Sequence, residues 1–253
     1  METKTKSILT FSLTGIAAYM LADIFHEVIG HSGGCLLIGQ HIDLITSAFF
    51  RSSPGSYITD LSGPIVNLIL GSLIFVYLNR EKNPPFVYRF LLLLTMAYNL
   101  FWFSGTILQS SFSKTGDWTY FVSQMNIGTL GKPLLVALGI AAYSFSIRLV
   151  YKQIQLFTSM FSEFPLKKAI HYSYIAAAVA AMIAGLFFAP DRINAAKEGL
   201  LEMIGSLPIL FIKIGQKENT ENFRPGNNII LNLTICLAFI LFCFTLGHGI
   251  FFK

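Results

Sequence analysis

The stretch ILTFSLTGIAAYMLADIFHEVIGHSGG, Ile8–Gly34, is apolar through its first half and closes on Asp23, His26, Glu27 and His31. A helix needs about 20 mostly apolar residues to cross about 30 Å of hydrocarbon, and this run supplies that length. Read as a span, it sets the class of the chain, because further apolar runs follow at about 61–79, 88–109, 130–149, 169–190 and 228–250. The expected fold is all-α, a polytopic helical membrane protein with about six transmembrane helices. Composition agrees: charged residues are only 12% of the chain and apolar residues 54%, against roughly 25% charge in soluble domains. The basic start followed by an apolar run has the layout of a signal peptide. It leads straight into the histidines, so it is expected to be a retained span.

The net charge of +5 would suit nucleic acid, but the basic residues fall in short clusters between apolar runs, where they orient spans. A nucleic-acid role is therefore excluded, and the expected surroundings are the lipid bilayer. Lys4 and Lys6, then Arg80, Lys82 and Arg89, then Arg148, Lys152, Lys167 and Lys168 mark the cytoplasmic side. The first connection carries only Arg51 and the third only Lys114 and Lys132. The first, third and fifth connections then face outward. Six spans place both termini in the cytoplasm, in a plasma (inner) membrane. Cys35, Cys236 and Cys243 lack metal-ligand spacing and read as packing residues. GQHIDLITSAFFRSSPGSYITD in the first connection alternates polar and β-prone residues before Ser-Ser-Pro-Gly, the pattern of a short hairpin at the membrane surface. Its edge would suit an extended peptide. The long fifth connection reads as an interfacial amphipathic helix followed by a polar tail, with GSLPILFIKIG as a possible re-entrant segment.

Ionisable side chains in a span are costly to place and mark functional sites by default. His26 and His31 with Glu27 are the ligand and base types of a zinc hydrolase, but their spacing is one residue longer than the usual His-Glu-two residues-His. On an α-helix, positions i and i+5 diverge by about 140°, which would splay the two rings. A single wider turn with i to i+5 hydrogen bonding returns them to one face, and Gly30, Gly33 and Gly34 give the backbone room for it. A hydrolytic zinc takes three protein ligands and keeps one open position. Asp117, in SKTGDWTYF at the outward mouth of spans three and four, is the expected third ligand; otherwise it would be an ordinary helix N-cap. His41 is the next candidate, followed by Asp43 and Asp60, while His171 starts on the opposite side.

The one-residue-longer motif resembles the His-Glu-three residues-His of the dipeptidyl-peptidase III family, in which both histidines bind zinc. FHEVIGH, LSGPIVNLILG and YNLFWFSG, with TGDW downstream, together resemble the core of the site-2 protease family of intramembrane zinc metallopeptidases. The likeness covers about residues 20–120. It departs in the residue inserted in HEVIGH and in Gly-Asp where that family has Asp-Gly. It implies a Zn2+ ion on His26, His31 and Asp117, Glu27 as the catalytic glutamate, and Asn67 and Asn99 as substrate-binding residues. It also implies a peptide or membrane-protein substrate. Gly63 and Pro64 match the second segment of the family pattern; without the family they read as the first turn of a helix, and Asn67 as an interhelical hydrogen-bonding residue. The expected organisation is a metallopeptidase-like membrane core over 1–150, spans one to four, and a C-terminal membrane region over 151–253 with a long outward connection. The alternative is a non-catalytic divalent-metal-binding or transport protein. A lipid-modifying di-iron oxygenase would need several histidine boxes; the chain has five histidines, and only two are grouped. His248 reads as an interfacial residue.

Overall fold

A computed structural model of the chain describes residues 2–81, 85–113, 116–125, 128–215 and 229–253, with side chains from residue 8 onward. Lys82, Lys114 and the polar tail of the fifth connection lie outside the described residues. Helix α1, Glu2–Asp23, passes without a break into a π-helical segment, Ile24–Ser32, and then into α2, Gly33–Leu37. The first span is thus one long helix with a widened stretch at the histidine motif. Two strands follow, β1 (His41–Ile45) and β2 (Phe50–Ser53), then α3 (Tyr57–Arg80), α4 (Phe86–Phe112) and the short α5 (Thr119–Gln124). The remainder is α6 (Gly131–Met160), α7 (Leu166–Leu186), α8 (Arg192–Gly205) with a 3-10 turn at Leu207–Phe211, α9 (Ile229–Phe242), a π turn at Cys243–Gly247 and β3 (Ile250–Phe251).

Six of these helices are long and apolar enough to cross a membrane, and the fold is an all-α polytopic membrane protein. Helix α4 forms its axis: Phe90, Leu94, Tyr98 and Phe101 are almost fully buried among α1, α3 and α6. In a bilayer, lipid is as apolar as leucine, so helices associate through close packing of small residues and through interhelical hydrogen bonds. Both occur between α1 and α7, where Gly15 lies against the Ser173 backbone and Ser173 Oγ donates to the Phe11 carbonyl at 2.7 Å.

The hairpin forms as expected from its alternation, with Ile45 opposite Phe50 and His41 opposite Ser53. Its reversal lies earlier than Ser-Ser-Pro-Gly. Thr46 Oγ1 accepts from the Ala48 and Phe49 amides at 3.0 and 2.7 Å, a side-chain turn that replaces backbone bonds. Ser-Ser-Pro-Gly instead ends β2 and leads to Ser56, which caps α3 by accepting from the Ile58 amide at 3.2 Å. Helix α3 therefore starts at Tyr57, and Pro64 lies inside it rather than in its first turn. The missing proline amide leaves the Asp60 carbonyl without its helical donor.

Two expectations about topology are corrected. The fifth connection does not stay at the outward surface as an interfacial helix. From the end of α7, α8 runs back along it: Gly199 packs on Ala181, and Tyr174 Oη donates to the Met203 carbonyl at 2.9 Å. Beyond it, Gln155, near the far end of α6, donates to the Lys213 carbonyl at 3.3 Å. Residues 192–213 thus pass through the bundle from one end to the other. The segment escapes a search for apolar runs because it mixes charged residues with apolar ones, and its Glu198 and Glu202 line an internal cavity. The second correction follows from the first. α9 starts at the end of the bundle reached by Lys213, and β3 pairs antiparallel with β1, giving a sheet of order β2-β1-β3. The chain's two ends therefore lie at opposite ends of the bundle, not on one side. One hydrophobic core runs from Phe11 to Leu246, across residue 150.

Candidate metal centre

The widened segment Ile24–Ser32 spans the whole of HEVIGH. Ser32 Oγ donates to the Glu27 carbonyl, five residues back, at 3.0 Å, and Gly30 lies against the Gly63 backbone of α3. The consequence is the i to i+5 pairing that an α-helix forbids. The imidazoles of His26 and His31 stand edge to face, 4.7 Å between centroids, with their Nε2 atoms 3.1 Å apart. His31 Nδ1 lies 2.8 Å from the Thr59 carbonyl. A carbonyl only accepts, so Nδ1 carries the proton and Nε2 keeps its lone pair free. The ring fits because residue 63 is glycine: a Cβ there would collide with the His31 imidazole.

Asp117, in the turn before α5, approaches both rings. Its Oδ2 lies 3.5 Å from His26 Nε2 and its Oδ1 3.8 Å from His31 Nε2. Zinc bonds of about 2.0–2.1 Å in a tetrahedral arrangement separate neighbouring ligand atoms by about 3.3 Å. The three spacings bracket that value, so the donor set fits a zinc-sized cation. Burial pushes the Asp117 carboxyl up, but the neighbouring His26 and His31 side chains outweigh it and hold the group below the usual carboxylate range. Glu27 is 4% exposed, its donor atom lies within 4.8 Å of those of both histidines, and its Oε2 has no hydrogen-bond partner.

These four side chains line one cavity of about 390 Å³. Phe49 and Phe50 of the hairpin form part of its wall, and Phe50 stacks on His31 at 5.5 Å. Asp60 lies on the same wall, as do Glu198 and Glu202 of α8, with Gln109 Nε2 donating to Glu198 Oε2 at 3.5 Å. No lysine or arginine lines the cavity among the described residues. Sequence reasoning missed the two α8 glutamates. Their i, i+4 spacing was visible, but on an amphipathic helix that pattern ordinarily marks a solvated face.

The other candidates are placed elsewhere. His41 Nδ1 pairs with Asp43 Oδ1 at 3.1 Å, and Ser53 donates to the same carboxylate, so both residues are engaged on the sheet and do not line the cavity. His171 is engaged with the Lys167 carbonyl at 2.7 Å within α7, and His248 is exposed beside β3. Asp23 is fully buried with both oxygens unpartnered, one turn before His26 and outside the cavity wall. Asn67 and Asn99, expected at the substrate, are fully buried. Asn99 donates to the Thr95 carbonyl at 2.7 Å, Asn67 has no hydrogen-bond partner, and neither lines the cavity. The structure brings His26, Glu27, His31 and Asp117 together and leaves the two asparagines within the helix packing. No family model matches the chain, and no curated protein or solved structure shows detectable similarity to it.

Proposed function

We propose that the protein is a membrane-embedded zinc-dependent hydrolase, a peptidase resembling the site-2 protease family, with His26, His31 and Asp117 holding the metal. The observation that carries this reading is the π-helical segment, which turns a splayed pair of histidines into a pair with Nε2 atoms 3.1 Å apart, beside a carboxylate and an unpartnered glutamate. A zinc ion held there supplies a Lewis acid and a water of lowered pKa. Glu27 is the general base: its carboxylate takes a proton from the attacking water and returns it to the leaving amine. The partner is a peptide or membrane-protein segment. β2 pairs with β1 on one edge only, and an extended segment laid along its free edge would run past Phe50 to the histidines. The basic residues at the start of α1 put that end in the cytoplasm of a plasma membrane, and the cavity then opens on the opposite side.

The acidic lining favours a second reading, a non-catalytic protein that binds or passes a divalent cation, because Asp60, Glu198 and Glu202 exceed what hydrolysis requires. Glu27→Gln separates the two. In proteoliposomes with a quenched peptide library, the variant should keep its zinc and lose cleavage by about a hundredfold or more. Cleavage at the wild-type rate would remove Glu27 from the chemistry. Absence of cleavage by the wild type, together with unchanged cation uptake by the variant, would select the second reading.

A further inference from the structure

A furrow of about 610 Å³ runs between α6 and the segment formed by α8 and its 3-10 turn, with Tyr143, Tyr151, Ile204 and Phe211 in its walls. It is apolar except for two cations, Arg148 and Lys213. Arg148 is exposed on α6, two residues beyond Ser146, which hydrogen-bonds Ser104 of α4 at 2.9 Å. A cation on the outer face of a span is costly unless an anion meets it. Neither Arg148 nor Lys213 has a carboxylate partner among the described residues. Tyr143 and Ile204 also line a second cavity of about 270 Å³ that continues upward past Gly105 and Gly205 to Trp102, Glu202 and His26. The two spaces share Tyr143 and Ile204 in their walls, with the Tyr143 hydroxyl donating to the Gly205 carbonyl at 2.8 Å between them; basic residues line the lower space and the candidate metal site borders the upper one.

We propose that this furrow binds an anionic phospholipid of the bilayer, its phosphate held between Arg148 and Lys213 and one acyl chain lying along Tyr143 and Ile204 on the side toward Trp102. The charge pattern selects this occupant. A guanidinium on one wall and an ammonium on the other complement a phosphate, and the rest of the furrow offers apolar and aromatic contact. A zwitterionic lipid brings its own cation against the two residues and gains less. The site does not depend on the metal reading, since none of the residues that hold the phosphate belongs to the metal centre.

The test uses the purified full chain and native mass spectrometry with phosphatidylglycerol and phosphatidylcholine. Wild type should retain phosphatidylglycerol about tenfold or more over phosphatidylcholine, the scale of one charge-assisted hydrogen bond. Arg148→Gln with Lys213→Gln should erase that preference, whereas Arg148→Lys with Lys213→Arg should keep it and show that the fold tolerates change at both positions. Chain placement is read separately, in a Trp118→Phe background, by quenching of Trp102 with brominated phosphatidylglycerol. Bromine near the acyl terminus should quench more than bromine near the head group. Equal retention of the two lipids, a preference that survives the double glutamine variant, or quenching independent of bromine position would each overturn the proposal. The first of these outcomes would leave the furrow to an apolar peptide.

Discussion

Gly63 shows how one residue sets the geometry of the centre. Its Cα faces Gly30 of the π segment and its missing side chain leaves the space that the His31 ring fills. Gly63→Ala should therefore displace the imidazole and loosen metal by about tenfold or more, the cost of disturbing groups that orient ligands, while adding about 1–3 kcal/mol of overpacking strain. Isothermal titration with zinc measures it, and unchanged affinity would mean that the ring has another position to occupy. Much at this scale was legible in the sequence. His26, Glu27 and His31 announce themselves by chemistry, and Asp117 by a topological argument that puts it at the mouth where the first span ends. Glu198 and Glu202 were not legible, because a carboxylate facing a cavity and one facing water have the same spacing on a helix. Asn67 and Asn99 lie buried in the helix packing, and a buried amide there and an amide at a substrate look alike in one dimension.

The decisive element is the widened turn. Its extra residue compensates the longer motif, so changes in its length should act with opposite outcomes in the two directions. Deleting Ile29 restores His-Glu-two residues-His, whose rings share a face on a regular α-helix, and zinc binding should survive within about tenfold. Inserting an alanine after Ile29 rotates His31 by a further 100° or so and should abolish it. Equal zinc affinity in both variants, by the same titration, would show that the segment does not set the ligand geometry. The spans were readable as elements because each is a long apolar run. The helix beginning at Arg192 was readable from its amphipathic pattern, but its passage through the bundle to Lys213 was not, because it carries carboxylates turned inward and ends in a proline-containing 3-10 turn at Leu207–Phe211. The hairpin was readable from its alternation, but the place of its turn depends on the Thr46 side chain, which a residue pattern does not reveal.

For the whole molecule, that additional traverse changes the topology. With β3 beside β1, the C-terminus sits at the end that carries His31 and the N-terminus at the other. Epitope tags placed before Glu2 and after Lys253 should label from opposite faces of sealed vesicles, and labelling of both from one face would return the chain to the even number of crossings that its apolar runs suggest. The charge distribution fits the revised arrangement, since Lys213 joins Arg80, Arg89, Lys167 and Lys168 at the end away from the metal centre. The two-residue strand that reveals this is too short to stand out in any sequence pattern. The central claim, that the two histidines and Asp117 hold a metal, is tested most directly by metal analysis of the purified protein, wild type against His26→Ala. The wild type should carry about one equivalent of zinc, and the variant should lose it while keeping its helical content. No metal in the wild type after incubation with zinc, or the same amount in both proteins, would contradict it.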